Sequence, residues 1–309
     1  MNKLKKIGLT ALAGSLVASS VYAGTLDVTG SWSLSYNSED DDEVTGNGWS
    51  MGDSVTFSGS GETDQGYAIG VSYELDGGTF DDYKLTMDMQ DAGKITFSGA
   101  SVGSSGLKAY SDKVPNAKEA VYGSMDSSND NGIVGGGSTT GSWGYDGTFG
   151  GIGISAYYAP EGKDGSTTGS DSSIVVTYAD LIDGLEVGAG TGEKGETQDE
   201  ETFYAKYVYG NLTIGWQRSN IDFAAAGTGD EESTHLGVSL AVNDDLSIST
   251  GRLEVDMGAG KVDEVSTGIS ASYTMGSMTV SGFGNKTDDG DGTSGKNDSS
   301  KGMSISFAF

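Results

Sequence analysis

An all-β fold is what this sequence predicts: one antiparallel meander of sixteen strands, closed into a transmembrane β-barrel with short turns at one end and long loops at the other. Three observations carry the prediction. Apolar and polar residues alternate along most of the chain, as in strands with two unlike faces. Tight turns and long connections alternate between successive strands. The composition combines 52 Gly and 2 Pro with only 35% hydrophobic residues, low for a soluble domain with a buried core.

Composition also excludes chemistry. With no Cys there is no disulfide framework, thiol nucleophile or cysteine-held metal. The single His, His235, nearly excludes His-based metal sites. Any Ser-His-Asp triad would have to use it, and no Ser partner is evident, so the chain does not read as an enzyme. Forty-five acidic residues against 17 basic ones give a net charge of −28. Nucleic acid is therefore excluded as a partner, because phosphate binding needs clustered Lys and Arg.

The first element stands apart from the fold. Lys3, Lys5 and Lys6 precede a short apolar stretch, Ile7 to Ala18, and Val21-Tyr22-Ala23 forms a small-residue cleavage site. Residues 1–23 read as a secretory signal, too short in its apolar part to span a membrane. Its removal takes three Lys and no acid, moving the net charge from −28 to −31.

The strands follow in order, at 24–37, 50–60, 66–76, 79–90, 92–101, 141–149, 151–159 and 172–179. Eight more are expected at 184–191, 202–209, 211–218, 234–242, 245–253, 264–275, 277–285 and 301–309. The first sets the pattern: Leu26, Val28, Gly30, Trp32, Leu34 and Tyr36 share one face, and Asp27, Thr29, Ser31, Ser33 and Ser35 the other. Tyr67 to Leu75, Tyr83 to Met89, Leu212 to Trp216, Leu236 to Val242, Val265 to Tyr273 and Met303 to Phe309 repeat it. The strand at 245–253 changes parity at Gly251, which predicts a bulge.

Short links fall at Gln90-Asp91, Gly150, Gly210, Asn243-Asp244 and Gly276. Long ones run over 38–49, 102–140, 160–171, 192–201, 219–233, 254–263 and 286–300. The turn Asp76-Gly77-Gly78 is the one short link on the long-loop side. Strands with one apolar face must bury it against a second layer or turn it to lipid. Closure satisfies every backbone group, as lipid demands, and a barrel of this strand number encloses an aqueous channel. Trp32, Tyr36, Tyr83, Phe149, Tyr158, Tyr209, Tyr273 and Phe309 lie toward strand ends on the apolar face, where aromatic girdles belong.

The chain resembles the general diffusion porins of Gram-negative bacteria, most of all the alphaproteobacterial ones. The signal leads straight into an alternating strand, the longest loop follows the fifth strand, Gly144 to Gly151 resembles the family's strand-turn-strand with a Phe-Gly-Gly turn, and the last residue is Phe. The resemblance implies a homotrimer in the outer membrane, in contact with lipid and lipopolysaccharide, passing small hydrophilic solutes passively. Phe309 would be the signal read by the barrel-assembly machinery. The third loop, 102–140, would fold into the barrel, with Asp112, Glu119, Asp126 and Asp130 as acidic constriction candidates and a short helix expected at 115–122.

By strand parity Lys84, Lys94 and Lys206 would face these acids from the lumen wall, joined by Arg252 if the bulge turns it inward. Opposed charges across a narrow pore set up a transverse field that filters solutes. The acidic excess predicts cation preference. Asp40, Asp41 and Asp42, in an acidic run on the loop side, are candidate Ca²⁺ ligands, or simply a solvated acidic surface. No other cofactor is expected. Two other functions fit parts of the composition. A substrate-specific channel would line its lumen with aromatics, whereas most here face lipid. A secreted β-solenoid or adhesin would need a short repeat, which is absent.

Overall fold

The computed structural model describes residues 26–39, 47–99, 105–115, 141–161, 169–225 and 227–309. Residues 1–23, read as a signal, and the expected helix beyond Pro115 lie outside them. Sixteen strands form one closed antiparallel barrel in sequence order, each paired with its chain neighbours and the last with the first. The first eight are β1 (Leu26–Glu39), β2 (Trp49–Glu62), β3 (Ala68–Asp76), β4 (Thr79–Asp88), β5 (Lys94–Ser98), β6 (Ser142–Phe149), β7 (Ile152–Ala159) and β8 (Asp171–Tyr178). The second eight are β9 (Leu185–Lys194), β10 (Gln198–Tyr209), β11 (Leu212–Phe223), β12 (Glu231–Ala241), β13 (Leu246–Asp256), β14 (Glu264–Met275), β15 (Met278–Asp288) and β16 (Asp298–Ala308). Three single 3-10 turns are the helical elements among the described residues.

Each of the sixteen expected strands is present. The apolar members of the alternation face outward, with Val28, Phe57, Leu85, Ile174, Ile214 and Ile269 among the exposed large residues. Outside a membrane such a surface would be a large aggregation liability. Closure uses nine residue pairs between β1 and β16, from Ser31↔Ala308 to Glu39↔Ser300. Two further backbone bonds join Gly30 and Phe309, at 2.9 and 3.0 Å. Gly30 sits at an outward position that is bare for a reason: a Cβ there would come within 2.6 Å of the Phe309 ring.

The tight loop-side link is Gly77-Gly78, both in the left-handed region (φ 56° and 75°), the conformation a two-residue hairpin of matching twist requires. Elsewhere on the loop side the structure corrects the expected lengths. β9 to β13 and β15 to β16 extend beyond their apolar stretches, so the links shrink to 195–197, 224–230, 257–263 and 289–297. The extensions stand above the lipid, where outward charges pair across or along strands: Arg218 with Glu232, Arg252 with Glu254, Lys286 with Asp288.

Arg252 is a second correction. The β12–β13 register runs unbroken from Glu232↔Asp256 to Ala241↔Ser247, with no bulge at Gly251. Arg252 lies opposite outward-facing Leu236, so it is on the outer wall and not in the lumen. The parity change in the sequence has another cause. Above the lipid the outside becomes polar, and Leu253, Val255 and Met257 turn inward as a small buried cluster.

Candidate pore constriction

The link between β5 and β6 holds the candidate site. Its described part, residues 105–115, enters the barrel and runs along the inner wall from β6 to β12. Ser105 Oγ donates to Asp146 Oδ2 on β6 at 2.7 Å. The Gly106 amide donates to Ser155 Oγ on β7 at 2.9 Å, and the Leu107 amide to Ser173 Oγ on β8 at 3.0 Å. A single 3-10 turn, Leu107–Tyr110, follows. Inward serines thus supply acceptors for amides that would otherwise be buried without partners.

Leu107 anchors the segment. It is fully buried, clustered with Val175 of β8 and Ile221 of β11. Beneath it, the inward positions Gly190 and Gly192 of β9 carry no side chain. A Cβ at either would come within 2.9 Å of a Leu107 methyl. Gly215 on β11 does the same for Val114 and Pro115, whose nearest atom would be 2.5 Å away. Glycine here permits close approach of one backbone to another.

Gln217 on β11 is the polar clamp. Its Oε1 accepts from the Lys113 amide at 2.7 Å, and its Nε2 donates to the carbonyls of Tyr110 (2.8 Å) and Ser111 (3.2 Å) and to Thr202 Oγ1 (2.8 Å). Beyond it, Asp112 Oδ1 lies 3.4 Å from Nδ1 of buried His235 on β12. His235 Nε2 is buried with no hydrogen-bond partner among the described residues.

Charges surround the segment. Lys206 and Glu186 pair at 3.2 Å, and Glu186 also accepts from the Tyr204 hydroxyl at 2.5 Å. Tyr110 stacks on Tyr204, with centroids 6.0 Å apart, and the Lys113 ammonium lies 4.2 Å from the Tyr110 ring centroid. Burial, then the neighbouring Lys206, draws the Lys113 ammonium below the ordinary lysine range. Lys84 is on the inner face of β4, 2.5 Å from Asp82. Lys94, inward on β5, lines a cavity of about 490 Å³ with Asp88, Asp91, Tyr110 and Asp146.

Of the expected acids, Asp112 is in the lumen; Glu119, Asp126 and Asp130 lie outside the described residues, as do Asp40, Asp41 and Asp42. The residues that seat the segment, Leu107, Gln217 and the β9 glycines, were not among the expected ones. One signal for them was available: Gly188, Gly190 and Gly192 occupy three successive inward positions on β9.

A single meander of sixteen strands with an inserted third loop can be compared with known proteins. The family model described as Gram-negative porin matches residues 8–309. The chain belongs to the Gram-negative porin family. The porin therefore resides in the outer membrane as a multi-pass barrel and is an outer-membrane diffusion channel. Among solved structures, the trimer form of OmpT, an outer membrane protein of Vibrio cholerae, is 13% identical with a TM-score of 0.70, covering 93% of this chain and 100% of that one. The anion-selective porin from Comamonas acidovorans is 16% identical, TM-score 0.67, with 93% and 100% covered. A mutant of the Rh. blastica porin is 14% identical, TM-score 0.67, with 92% and 100% covered. At these identities the likeness is one of fold. Comparison with curated protein sequences returned no match.

Proposed function

We propose that this porin passes small hydrophilic solutes and ions by passive diffusion, with a preference for cations, through a lumen narrowed by the third loop. The run of residues 105–115 along the inner wall supports the reading, because Asp112 and Lys113 lie on it. Lysines at the wall are offset by acids: Lys84 by Asp82, Lys206 by Glu186. Asp88, Asp91 and Asp146 line the cavity beside the segment together with Lys94. With a chain charge of −28, the mouth concentrates cations. Asp112, and Glu119, Asp126 and Asp130 further along the loop, are the proposed acidic side of the constriction. No catalytic step belongs to this reading.

Selectivity is a property of the lining and not of the fold, since one protein of the same fold is described as anion-selective. A substrate-specific channel is the weaker reading. Tyr110 on Tyr204 is the one ring pair inside the lumen among the described residues, and a single pair is not an aromatic track. Assembly as a homotrimer, folding by the barrel-assembly machinery through Phe309, and contact with lipopolysaccharide belong to the same proposal. So does calcium at Asp40, Asp41 and Asp42, as a bridge from the acidic loops to lipid phosphates.

Reversal potential in a salt gradient across a planar bilayer tests the reading. Cation preference is expected at neutral pH, and anion preference overturns it. Because its proton is held more loosely than an ordinary lysine's, Lys113 loses its positive charge at a lower pH than an ordinary lysine does. Cation preference should therefore increase on alkalinisation, and Lys113→Met should flatten that rise.

A further inference from the structure

A second site lies on the outer wall, away from the pore. β15 presents Gly282 and Gly284 to the outside, and a Cβ built on Gly284 meets nothing within 4 Å. The bare position at Gly284 lines a cleft of about 500 Å³ that runs across β13 to β1. Lys301 stands at its centre, between Gly284 on one side and Ser38 on the other. Lys286 lies diagonally above it on β15, opposite Ser299.

Three features point to a ligand. The first is charge. Arg218, Arg252 and Lys286 on the outer wall each pair with an acid, whereas Lys301 has no acidic partner among the described residues. In a protein of net charge −28, an unneutralised outward lysine is unusual. The one carboxylate among the lining residues, Glu39, sits at an inward position of β1, opposite Ser300. The second is height. One step toward the lipid from Lys301 is Met303, which pairs with Tyr36, and Tyr36 packs on Trp49 at 5.1 Å. These rings mark the upper interface, so Lys301 stands at headgroup level on the loop side, the outer leaflet. The third is chemistry. Hydroxyls of Ser38, Thr250, Thr267 and Ser299 surround the lysines, and exposed Ile269 begins the apolar wall below.

Cations for phosphate, hydroxyls for sugar and an adjoining apolar wall for acyl chains match one molecule of the outer leaflet. We propose that this cleft binds the phosphorylated glucosamine headgroup of lipopolysaccharide, with Lys301 and Lys286 on a phosphate and an acyl chain over Gly282 and Gly284. The proposal names a site for the lipid contact proposed above and rests on that reading only for the partner; it requires no calcium.

The test uses purified full-length protein in detergent with rough-type lipopolysaccharide and EDTA, bound lipid being counted by native mass spectrometry. Wild type should retain lipid. Lys286→Ala with Lys301→Ala should lower retention about ten-fold, a change of about 1.4 kcal/mol. Gly284→Leu, which fills the cleft without clashing, should lower it as well. Dephosphorylated lipid should bind wild type as weakly as intact lipid binds the double variant. Equal retention by wild type and double variant overturns the site while leaving lipopolysaccharide as a partner. Retention that needs Ca²⁺ assigns the lipid to the acidic loops and overturns the proposal. Equal competition by phosphatidylglycerol, or loss of the oligomer in Gly284→Leu with lipid retained, assigns the cleft to another occupant. Single-channel conductance should be unchanged in all these variants, which separates this result from the pore reading.

Discussion

Two stretches of the inner wall use small residues for opposite ends. On β7 to β11, small positions are left bare or turned into acceptors so that another piece of chain can lie against them. Gly190, Gly192 and Gly215 admit Leu107, Val114 and Pro115, while Ser155 and Ser173 accept from the Gly106 and Leu107 amides. On β13 to β16, serines at the corresponding inward positions pair with one another across strands. Ser247 with Ser272 and Ser249 with Ser270 are 2.8 Å apart, and Ser281 with Ser304 2.7 Å. A hydroxyl can donate and accept, so in each pair one serine donates to the other across the strands. The difference teaches that a small polar lumen is not uniform: one side is a seat, the other a wall whose hydroxyls bond across its own strands.

The largest test of that comparison is the anchor of the seat. Leu107→Ala removes a fully buried side chain from the cluster with Val175 and Ile221. Loss of such a group costs about 2–5 kcal/mol where the site cannot collapse, and here the floor is rigid strand. The segment should undock while the barrel stays closed. Single-channel conductance should rise and become noisier, with the heat-modifiable gel shift of the folded barrel retained. Unchanged conductance would mean that residues 105–115 do not narrow the pore.

How much of this could be read beforehand divides along the same line. All sixteen strands were legible because lipid enforces a strict period of two on every outward position. The strand ends on the loop side were not, because above the lipid that enforcement stops and polarity reverses. Arg252 went astray there: Leu253 and Val255 mimic a register slip when they are an apolar patch on the inside. Lys84, Lys94 and Lys206 follow from parity alone. The seat needed a different signal, since contact between 105–115 and β9 to β11 joins residues roughly a hundred positions apart. Gln217 is one polar residue among many on inward positions, and nothing local marks it. The run of three inward glycines on β9 was visible, and its meaning depends on what lies over it.

The clamp gives the next prediction. Gln217→Ala leaves the Lys113 amide and the Tyr110 and Ser111 carbonyls without their side-chain partner. A buried donor left unsatisfied costs about 1–3 kcal/mol. In a channel, however, water can enter and take its place, so the effect should fall below that of Leu107→Ala. Brief open-channel fluctuations, and not a lasting rise in conductance, are the expected record, because Leu107 still holds one end. Conductance and noise equal to wild type would show that the apolar anchor alone seats the segment.

The smallest effect should come from the opposite wall. Ser281→Ala removes one hydroxyl of the Ser281–Ser304 pair, which lies part-buried on the inner face. Ser304 keeps access to other acceptors, and surface-type substitutions of this kind stay within about 0.5 kcal/mol. Conductance, reversal potential and resistance to thermal unfolding should match wild type. A matched pair of variants makes the contrast sharp. Gly192→Ala adds a single methyl on the seat, where a Cβ would lie 2.6 Å from Ser173 Cβ and 2.9 Å from Leu107, and so should disturb the channel. Ser281→Ala ends with the same side chain on the other wall and should not. If both were silent, the glycine track would be incidental to how the loop is held.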